Sequence, residues 1–241
     1  MIFAHRGACK YAPENTIAAF ELALEQGADA IELDAKLSAD GKVVVIHDQS
    51  VDRTTDGNGR VNKLTLPELK KLDAGSFFDS KFAGERIPTL DEVFESVGKR
   101  IFINVELTNY ASRNDELVPL VADIVKRHEI QKNILFSSFA PANLRRAQQL
   151  LPEVPVGLLA LTGIMGMLNR SSYFLKLSPK ILHPYLADVN QRLVAREHER
   201  GRRVHVWTVN EESDLRRMKE LGVDGVFTDD PITALRVLRG K

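Results

Sequence analysis

Two carboxylates stand two positions apart in the segment Ala30-Ile-Glu-Leu-Asp34, where they alternate with small or apolar residues. Residues at i and i+2 of a β-strand project to the same face, so Glu32 and Asp34 lie side by side. Neighbouring carboxylates repel each other unless a cation sits between them. The spacing indicates a cation site, although a solvent-facing strand with ordinary surface charges would show the same pattern.

A hairpin predicted after this strand brings a histidine toward the pair. Asp40-Gly41 is a signal for a two-residue type I′ turn, and the β-rich run 43–46 follows it. If these two residues form the turn, Asp34 lies opposite His47. This register would gather two carboxylates and a titratable imidazole in one small volume.

The elements that must position these residues alternate between strand and helix. Ile2-Phe3-Ala4 is a short buried strand that delivers His5 and Arg6 at its end, and a helix capped by Asn15 or Thr16 leads to the strand 28–34. Further along the chain the predicted strands are 101–106, 133–137, 155–159, 181–183, 204–209 and 225–228. The helices predicted between and after them are 114–128, 141–150, 164–176, 190–200, 211–221 and 231–239.

Eight strand–helix units in 241 residues predict a closed TIM (β/α)8 barrel that occupies the whole chain, 1–241. A doubly wound open sheet is the alternative fold, but no Gly-rich phosphate loop follows a strand. Residues 49–88, after the second strand and its hairpin, are too long and too aromatic for a simple connection. We expect them to form a small inserted subdomain with its own hydrophobic cluster that caps the site.

A closed barrel makes a functional prediction, because active sites in this fold lie at the carboxyl ends of the strands. The polar residues there are His5, Arg6, Glu32, Asp34, Glu106, Thr108, Ser137, Ser138, His183, Trp207, Asn210, Thr228 and Asp229.

Composition excludes several classes of function. Lys plus Arg and Asp plus Glu number 33 each, so charge gives no argument for a nucleic-acid partner. The single cysteine, Cys9, supports neither a disulfide framework nor a zinc motif. No run of about 20 apolar residues is present, and the first residues turn polar too quickly for a signal peptide, so we expect a soluble cytoplasmic protein.

Glu32, Asp34 and Glu106 supply three hard oxygen ligands, which favour Mg²⁺, Ca²⁺ or Mn²⁺ over zinc. Such an ion could polarise a phosphoryl oxygen. His5 and His47 would flank it as one general base and one general acid, since unperturbed imidazoles exist in both protonation states near neutral pH. Arg6 could hold a phosphate oxygen with its planar guanidinium.

The motifs along the chain resemble those of glycerophosphodiester phosphodiesterases. They are His5-Arg6-Gly7, Pro13-Glu14-Asn15-Thr16, Glu32-Leu33-Asp34, Asp40-Gly41, His47-Asp48, Arg53-Thr54-Thr55, Ile87-Pro88-Thr89-Leu90, Ser138-Phe139, Trp207-Thr208-Val209-Asn210 and Gly225 to Pro231. They appear in the expected order over nearly the whole chain, which makes the resemblance specific.

The resemblance implies a TIM barrel that hydrolyses glycerophosphodiesters to glycerol 3-phosphate and an alcohol with a bound Mg²⁺ or Ca²⁺. It assigns Glu32, Asp34 and Glu106 as metal ligands and His5 and His47 as the acid/base pair. Arg6 would contact the phosphate and Trp207 would line the substrate site. It also implies that the glycerol 2-hydroxyl attacks phosphorus and that water then opens a cyclic phosphate.

One position departs from the family pattern of Glu-x-Lys, because this chain has Glu106-Leu107-Thr108. Thr108 would then offer the substrate a hydroxyl where the pattern has an ammonium, and Lys36 or Arg6 could supply the missing charge. The departure leaves open a non-catalytic phosphate- or lipid-binding barrel, although a binding protein needs no pair of acid/base histidines.

The apolar run 158–168 begins at the end of a strand on the predicted active face. It would either pack as a helix on the barrel or form a lip that contacts acyl chains or a lipid surface. The second reading would favour lysophospholipids, cleaved in the manner of a lysophospholipase D.

Overall fold

The computed structural model describes residues 1–110, 115–160, 162–163 and 179–240, and the structural statements that follow concern those residues. Eight parallel strands form a barrel, which closes because the first strand pairs with both the second and the last. They are β1 (Ile2–Ala4), β2 (Ala30–Leu37), β4 (Phe102–Leu107), β5 (Ile134–Ser138), β6 (Val156–Ala160), β7 (Ile181–Pro184), β8 (Arg203–Val206) and β9 (Gly225–Thr228). A ninth strand, β3 (Val43–Val45), runs antiparallel to β2. The predicted TIM barrel is confirmed.

Helices connect the strands on the outside of the barrel. They are α1 (Ile17–Glu25), α2 (Leu66–Leu69), α3 (Leu90–Val97), α4 (Leu117–His128), α5 (Pro141–Leu150), α6 (Gln191–Glu199), α7 (Glu212–Glu220) and α8 (Pro231–Arg239). The helix predicted at 164–176 lies outside the described residues. None of the described helices combines the length and the apolar character needed to cross a membrane.

Side-chain caps fix where the first helices begin. The Thr16 hydroxyl accepts a hydrogen bond from the backbone N–H of Ala19, so α1 begins at Ile17 as the sequence predicts. At α3, Thr89 and Glu92 cap each other's backbone N–H groups in a capping box. These caps place α1 and α3 immediately after loops that enter the site.

The hairpin differs from its prediction by one residue. Ala35 pairs with Val45, and the backbone N–H of Ile46 donates to the Asp34 carbonyl at 3.0 Å, so Ile46 rather than His47 lies opposite Asp34. The predicted register was wrong because the loop has three residues between Ser38 and Lys42, not two.

The side chain of Ser38 explains the longer loop. Its hydroxyl oxygen accepts from the Lys42 backbone N–H at 2.9 Å, and the hydroxyl donates to Asp40 at 2.6 Å. Gly41 takes the left-handed conformation (φ 72°) that closes such a loop. His47 therefore enters the site from beyond the end of β3 and not as a strand residue.

Residues 49–88 contribute to a second hydrophobic cluster, separate from that of the barrel. The cluster is built by Val44, Ile46, Val51, Val61, Leu69, Ala74 and Ile87. Val44 and Ile46 come from the hairpin side that faces away from the barrel core, so the segment packs on the hairpin. The aromatic residues contribute little, since Phe77 and Phe78 are 42% and 38% exposed.

A third cluster fills part of the barrel interior and contains Phe3, Ala30, Leu135, Ile181 and Phe227. His183 and His205 pack against it with their rings stacked at a centroid distance of 5.3 Å. We call these two residues the buried histidine pair. All four of their ring nitrogens are buried without a hydrogen-bond partner among the described residues.

Candidate active site

A cavity opens at the carboxyl ends of the strands. Its polar lining consists of His5, Arg6, Glu32, Asp34, His47, Asn104 and Glu106, and its apolar lining of Phe139, Leu159, Trp207 and Phe227. Thr108 does not line this cavity, and neither do the other polar residues that the sequence placed at the strand ends, namely Ser137, Ser138, His183, Asn210, Thr228 and Asp229. The barrel therefore brings together residues from both ends of the sequence, as its closure requires.

Glu32, Asp34 and Glu106 form what we call the carboxylate cluster, in which one oxygen atom of each lies within 4.8 Å of the others. Strand pairing creates it: Glu32 and Asp34 alternate inward on β2, and Asp34 is the register partner of Glu106 on β4. Glu32 and Asp34 are almost fully buried, at 3% and 1% exposure.

Each member of the carboxylate cluster is held by one hydrogen bond. The backbone N–H of Arg6 donates to Glu32 at 2.9 Å, and the Asn15 amide donates to Asp34 at 2.9 Å. The Tyr110 hydroxyl donates to Glu106 at 2.7 Å. In each carboxylate the second oxygen accepts no hydrogen bond from the described residues, which leaves three oxygens available to a ligand.

The electrostatics of the carboxylate cluster favour a cation. Burial, with the charges of Asp34 and Glu106, raises the pKa of Glu32 well above its usual range. Burial and the charge of Asp34 likewise raise the pKa of Glu106. A divalent cation would remove this repulsion, and three carboxylate oxygens are the hard ligands that Mg²⁺ and Ca²⁺ prefer. The residues present fit such an ion.

Both histidines of the cavity are oriented by an aspartate. The Nδ1 atom of His5 lies 2.7 Å from Asp229, and the Nδ1 atom of His47 lies 2.7 Å from Asp48. An ionised aspartate can only accept, so in each pair Nδ1 carries the proton and Nε2 remains for chemistry. Although burial opposes it, the hydrogen bond with His5 lowers the pKa of Asp229 to about 2, which keeps this carboxylate ionised.

Arg6 lies between these pairs and the carboxylate cluster. Its guanidinium donates to Glu14 at 2.9 Å, and its Nε lies 3.6 Å from Asp34. Arg53 donates to both Glu14 and Asp48. Ion pairs therefore connect Arg6 with Asp48, the aspartate that orients His47. Burial lowers the pKa of Arg6, but the charges of Asp34 and Glu14 outweigh this and raise it.

Aromatic side chains form the apolar wall of the cavity. The Trp207 indole N–H donates to the His183 carbonyl at 2.8 Å, which fixes the ring. Phe139 packs edge-on against Trp207 with a centroid distance of 5.6 Å. Trp207 therefore lies on the apolar wall of the cavity.

Thr108 occupies a different position from the one expected for a substrate contact. Its hydroxyl donates to the Ala35 carbonyl at 2.7 Å and accepts from Nζ of Lys36, also at 2.7 Å. Thr108 is 3% exposed and lines a separate small cavity beside the main one. Because the hydroxyl proton is already donated to Ala35, Thr108 has none to offer a substrate in this arrangement.

The sequence did not indicate the roles of several residues of the site. Asp48 and Asp229 stand in the quoted motifs, yet only the fold shows that they orient the histidines. Tyr110 and Asn15 act from loops, where no periodicity indicates the direction of a side chain. His183 was expected among the residues at the strand ends, but its ring is fully buried behind Phe227, at a centroid distance of 4.9 Å.

A closed barrel that gathers clustered carboxylates and oriented histidines at the carboxyl ends of its strands is typical of an enzyme. Comparison with known proteins gives the family. Residues 5–233 match the family model described as "Glycerophosphoryl diester phosphodiesterase family", and the chain belongs to this family.

Relatives share the full length of the chain. The glycerophosphodiester phosphodiesterase of Caldanaerobacter subterraneus subsp. tengcongensis is 42% identical over 240 residues, which cover 99% of this chain and 98% of the relative. That of Bacillus altitudinis is 38% identical, with 98% and 97% covered. The chain is thus an enzyme of the glycerophosphodiester phosphodiesterase class.

A solved structure shows the same architecture with a ligand. It is a phosphodiesterase of Oleispira antarctica in complex with the product sn-glycerol-3-phosphate, and it is 33% identical to this chain. The TM-score is 0.88, and the match covers 99% of this chain and 96% of the other.

Proposed function

We propose that this enzyme hydrolyses glycerophosphodiesters to glycerol 3-phosphate and an alcohol, with one Mg²⁺ or Ca²⁺ held by Glu32, Asp34 and Glu106. One observation carries the proposal: two histidines, each with Nδ1 held by an aspartate, line the same cavity as the carboxylate cluster. The product seen in the Oleispira antarctica relative supports the choice of substrate.

His5 and His47 supply the proton transfers. One imidazole accepts the proton of the glycerol 2-hydroxyl as the oxygen of that hydroxyl attacks phosphorus. The other imidazole donates a proton to the oxygen of the departing alcohol. The roles reverse when water attacks the cyclic phosphate, so both histidines return to their first state. Asp229 and Asp48 stabilise the imidazolium that forms at each step and hold the rings in place.

Arg6, together with a bound cation, would stabilise the charge at the phosphoryl group. A bound divalent ion would act as a Lewis acid toward a phosphoryl oxygen. The hydrogen bond to Glu14 holds the Arg6 guanidinium in place, and its planar donors could bind a phosphoryl oxygen. The apolar residues of the lining, with Trp207 and Phe139 among them, would exclude water from their part of the cavity.

A second candidate substrate is a lysophospholipid. Phe139, Leu159, Trp207 and Phe227 give the cavity an apolar wall that a fatty-acyl glycerol could contact. Leu159 belongs to the apolar run 158–168, but residues 161 and 164–168 of that run lie outside the described residues. The lipid contact of this run stays a prediction, as do the capping role of 49–88 and the cytoplasmic location.

Release of glycerol 3-phosphate from glycerophosphocholine tests the proposal. We expect turnover with Mg²⁺ or Ca²⁺ that is lost with excess chelator and in His47→Asn. Lysophosphatidylcholine in the same assay separates the two substrate classes, and comparable turnover of both would favour a broad specificity. A well-folded protein that binds the ion but turns over neither substrate would contradict the proposal and favour the non-catalytic binding role.

A further inference from the structure

Two basic side chains are buried among the described residues, and they are satisfied differently. Arg202 forms an ion pair with the buried carboxylate of Glu197 at 3.1 Å. Lys36 is equally buried, at 6% exposure, yet its ammonium donates to the neutral hydroxyl of Thr108 and forms no ion pair with a described residue. Burying an ammonium without an anionic partner is costly. An anionic ligand would supply the close ion pair that Lys36 lacks among the described residues.

The position of Lys36 indicates where that anion would lie. Alternation along β2 puts Lys36 on the same face as Glu32 and Asp34, one step of about 7 Å beyond Asp34 along the strand. Because Ala35 pairs with Leu107 across β2 and β4, Lys36 lies beside Thr108. Burial lowers the pKa of Lys36, and the charges of Asp34, Glu106 and Asp48 oppose that shift. The Lys36 side chain lines the same small cavity as Thr108.

Thr108 fixes Lys36 in a defined way. Its hydroxyl donates to the Ala35 carbonyl, so its lone pairs face the ammonium and it can act only as an acceptor there. Two N–H donors of Lys36 remain without a partner among the described residues. The other cation beside the cluster, Arg6, already donates to Glu14.

We propose that Lys36 binds a phosphoryl oxygen of the substrate and of glycerol 3-phosphate, and that Thr108 is a positioning residue that orients the ammonium. This inference rests on the proposed function and adds a binding residue to it. The flexible stem of lysine allows the ammonium to reach the anion while it remains close to Thr108.

The proposal predicts effects of opposite sign on two ligands. Lys36→Met should weaken binding of glycerol 3-phosphate by about 10- to 100-fold, the range of a hydrogen bond to a charged group. The same variant should bind Mg²⁺ about three- to tenfold more tightly, because a positive charge near the carboxylate cluster has been removed. A lysine that only supports the fold would weaken both ligands together or leave both unchanged.

Calorimetric titration of the full chain tests this with Mg²⁺ alone and then with glycerol 3-phosphate at saturating Mg²⁺. Lys42→Met, which removes an exposed lysine from the same hairpin, serves as the matched control and should match wild type for both ligands. Wild-type turnover of glycerophosphocholine is measured in the same series. Absence of that turnover counts against the proposed function, whereas turnover with unchanged product affinity in Lys36→Met overturns the role of Lys36 alone.

Two further variants keep the test decisive if Lys36→Met folds poorly. Thr108→Val keeps the ammonium but removes its acceptor, so affinity for glycerol 3-phosphate should fall about three- to tenfold, the effect of one lost hydrogen bond. In the double variant Lys36→Met/Thr108→Lys the ammonium moves to the adjacent strand, and product affinity should recover over Lys36→Met. Unchanged affinity in Thr108→Val, or no recovery in the double variant, would overturn the proposal.

Discussion

At the carboxyl ends of the strands three carboxylates lie within 4.8 Å of one another, whereas behind Phe227 two histidines stack at a centroid distance of 5.3 Å. Burial raises the pKa of Glu32 and Glu106 in the first region and lowers the pKa of His183 and His205 in the second. Both regions therefore favour neutral groups in the free protein.

The two regions differ in what surrounds them. The carboxylate cluster faces a cavity and keeps three oxygens available, so a cation can restore its charge. The buried histidine pair packs against Phe3 and Phe227, and a Cβ atom on Gly157 would approach His183 to 2.5 Å. Among the described residues these contacts pack its rings into the core. An unsatisfied titratable group therefore indicates function only where a cavity adjoins it.

The largest effect should come from the histidines of the cavity. His47→Asn or His5→Asn removes a proton donor or acceptor, and we expect kcat to fall by about 10²- to 10⁴-fold. Steady-state kinetics and thermal unfolding measure activity and fold separately. His198→Asn is the matched control, because His198 also pairs with an aspartate, Asp224, at 2.9 Å but lies away from the cavity. A His47 variant with wild-type kcat would remove it from the chemistry.

Loss of the hydroxyl that holds Glu106 should have the next largest effect. Tyr110→Phe should weaken Mg²⁺ binding by about 10- to 100-fold, as outer partners of metal ligands generally do. Titration calorimetry gives the affinity. Tyr11→Phe removes a comparable hydroxyl–carboxylate bond, to Asp230 at 2.8 Å, outside the cavity and should leave the affinity unchanged. Equal losses in both variants would mean that the effect is not specific to the carboxylate cluster.

The two regions should affect the pH dependence of stability differently. The carboxylate cluster should act as the pH rises. Glu32 and Glu106 have raised pKa values in the folded state, so their contribution is complete below about pH 4.5 and is lost as the pH rises through those raised values. Chelator-treated protein should therefore unfold at lower temperature as the pH rises, and Mg²⁺ or Glu106→Gln should reduce that slope. Thermal unfolding across pH measures it, and a flat profile in the free protein would contradict the account of the carboxylate cluster.

In the acidic range, protonation of the buried histidine pair should lower the stability of the fold. Burial lowers the pKa of His205 to about 3, so its contribution is present above about pH 6.5 and is lost as the pH falls toward 3. His205→Leu should make this acid limb shallower and leave kcat at neutral pH unchanged, because His205 does not line the cavity. A large loss of kcat in a folded His205→Leu would show that the histidine pair takes part in the site.

Much of the fold and of the carboxylate cluster could be predicted from the sequence because regular elements determine them. Eight alternating units implied closure, and strand alternation placed Glu32 beside Asp34 and added Glu106 from the next strand of the barrel. These predictions depend only on period and order, which the chain displays directly.

The rest depended on single side chains. The hairpin register changed by one residue because the Ser38 hydroxyl closes a three-residue loop, and no periodicity reveals that choice. Thr108 is engaged by Ala35 and Lys36 because two adjacent strands place them together, which motif comparison alone could not show. His183 also stands at a strand end, but its ring lies behind Phe227, and no periodicity reveals that position.

Proton release on metal binding distinguishes a cation site from a cluster of acidic side chains that are merely buried. If Glu32, Asp34 and Glu106 form the cation site, binding must displace protons from carboxyl groups whose pKa is raised. Titration of Mg²⁺ or Ca²⁺ at pH 6 in two buffers of different ionisation heat should show one ion per chain and release of protons, with less release in Glu106→Gln. Binding without proton release, or binding unaffected by Glu106→Gln, would contradict the assignment of the carboxylate cluster as the metal site.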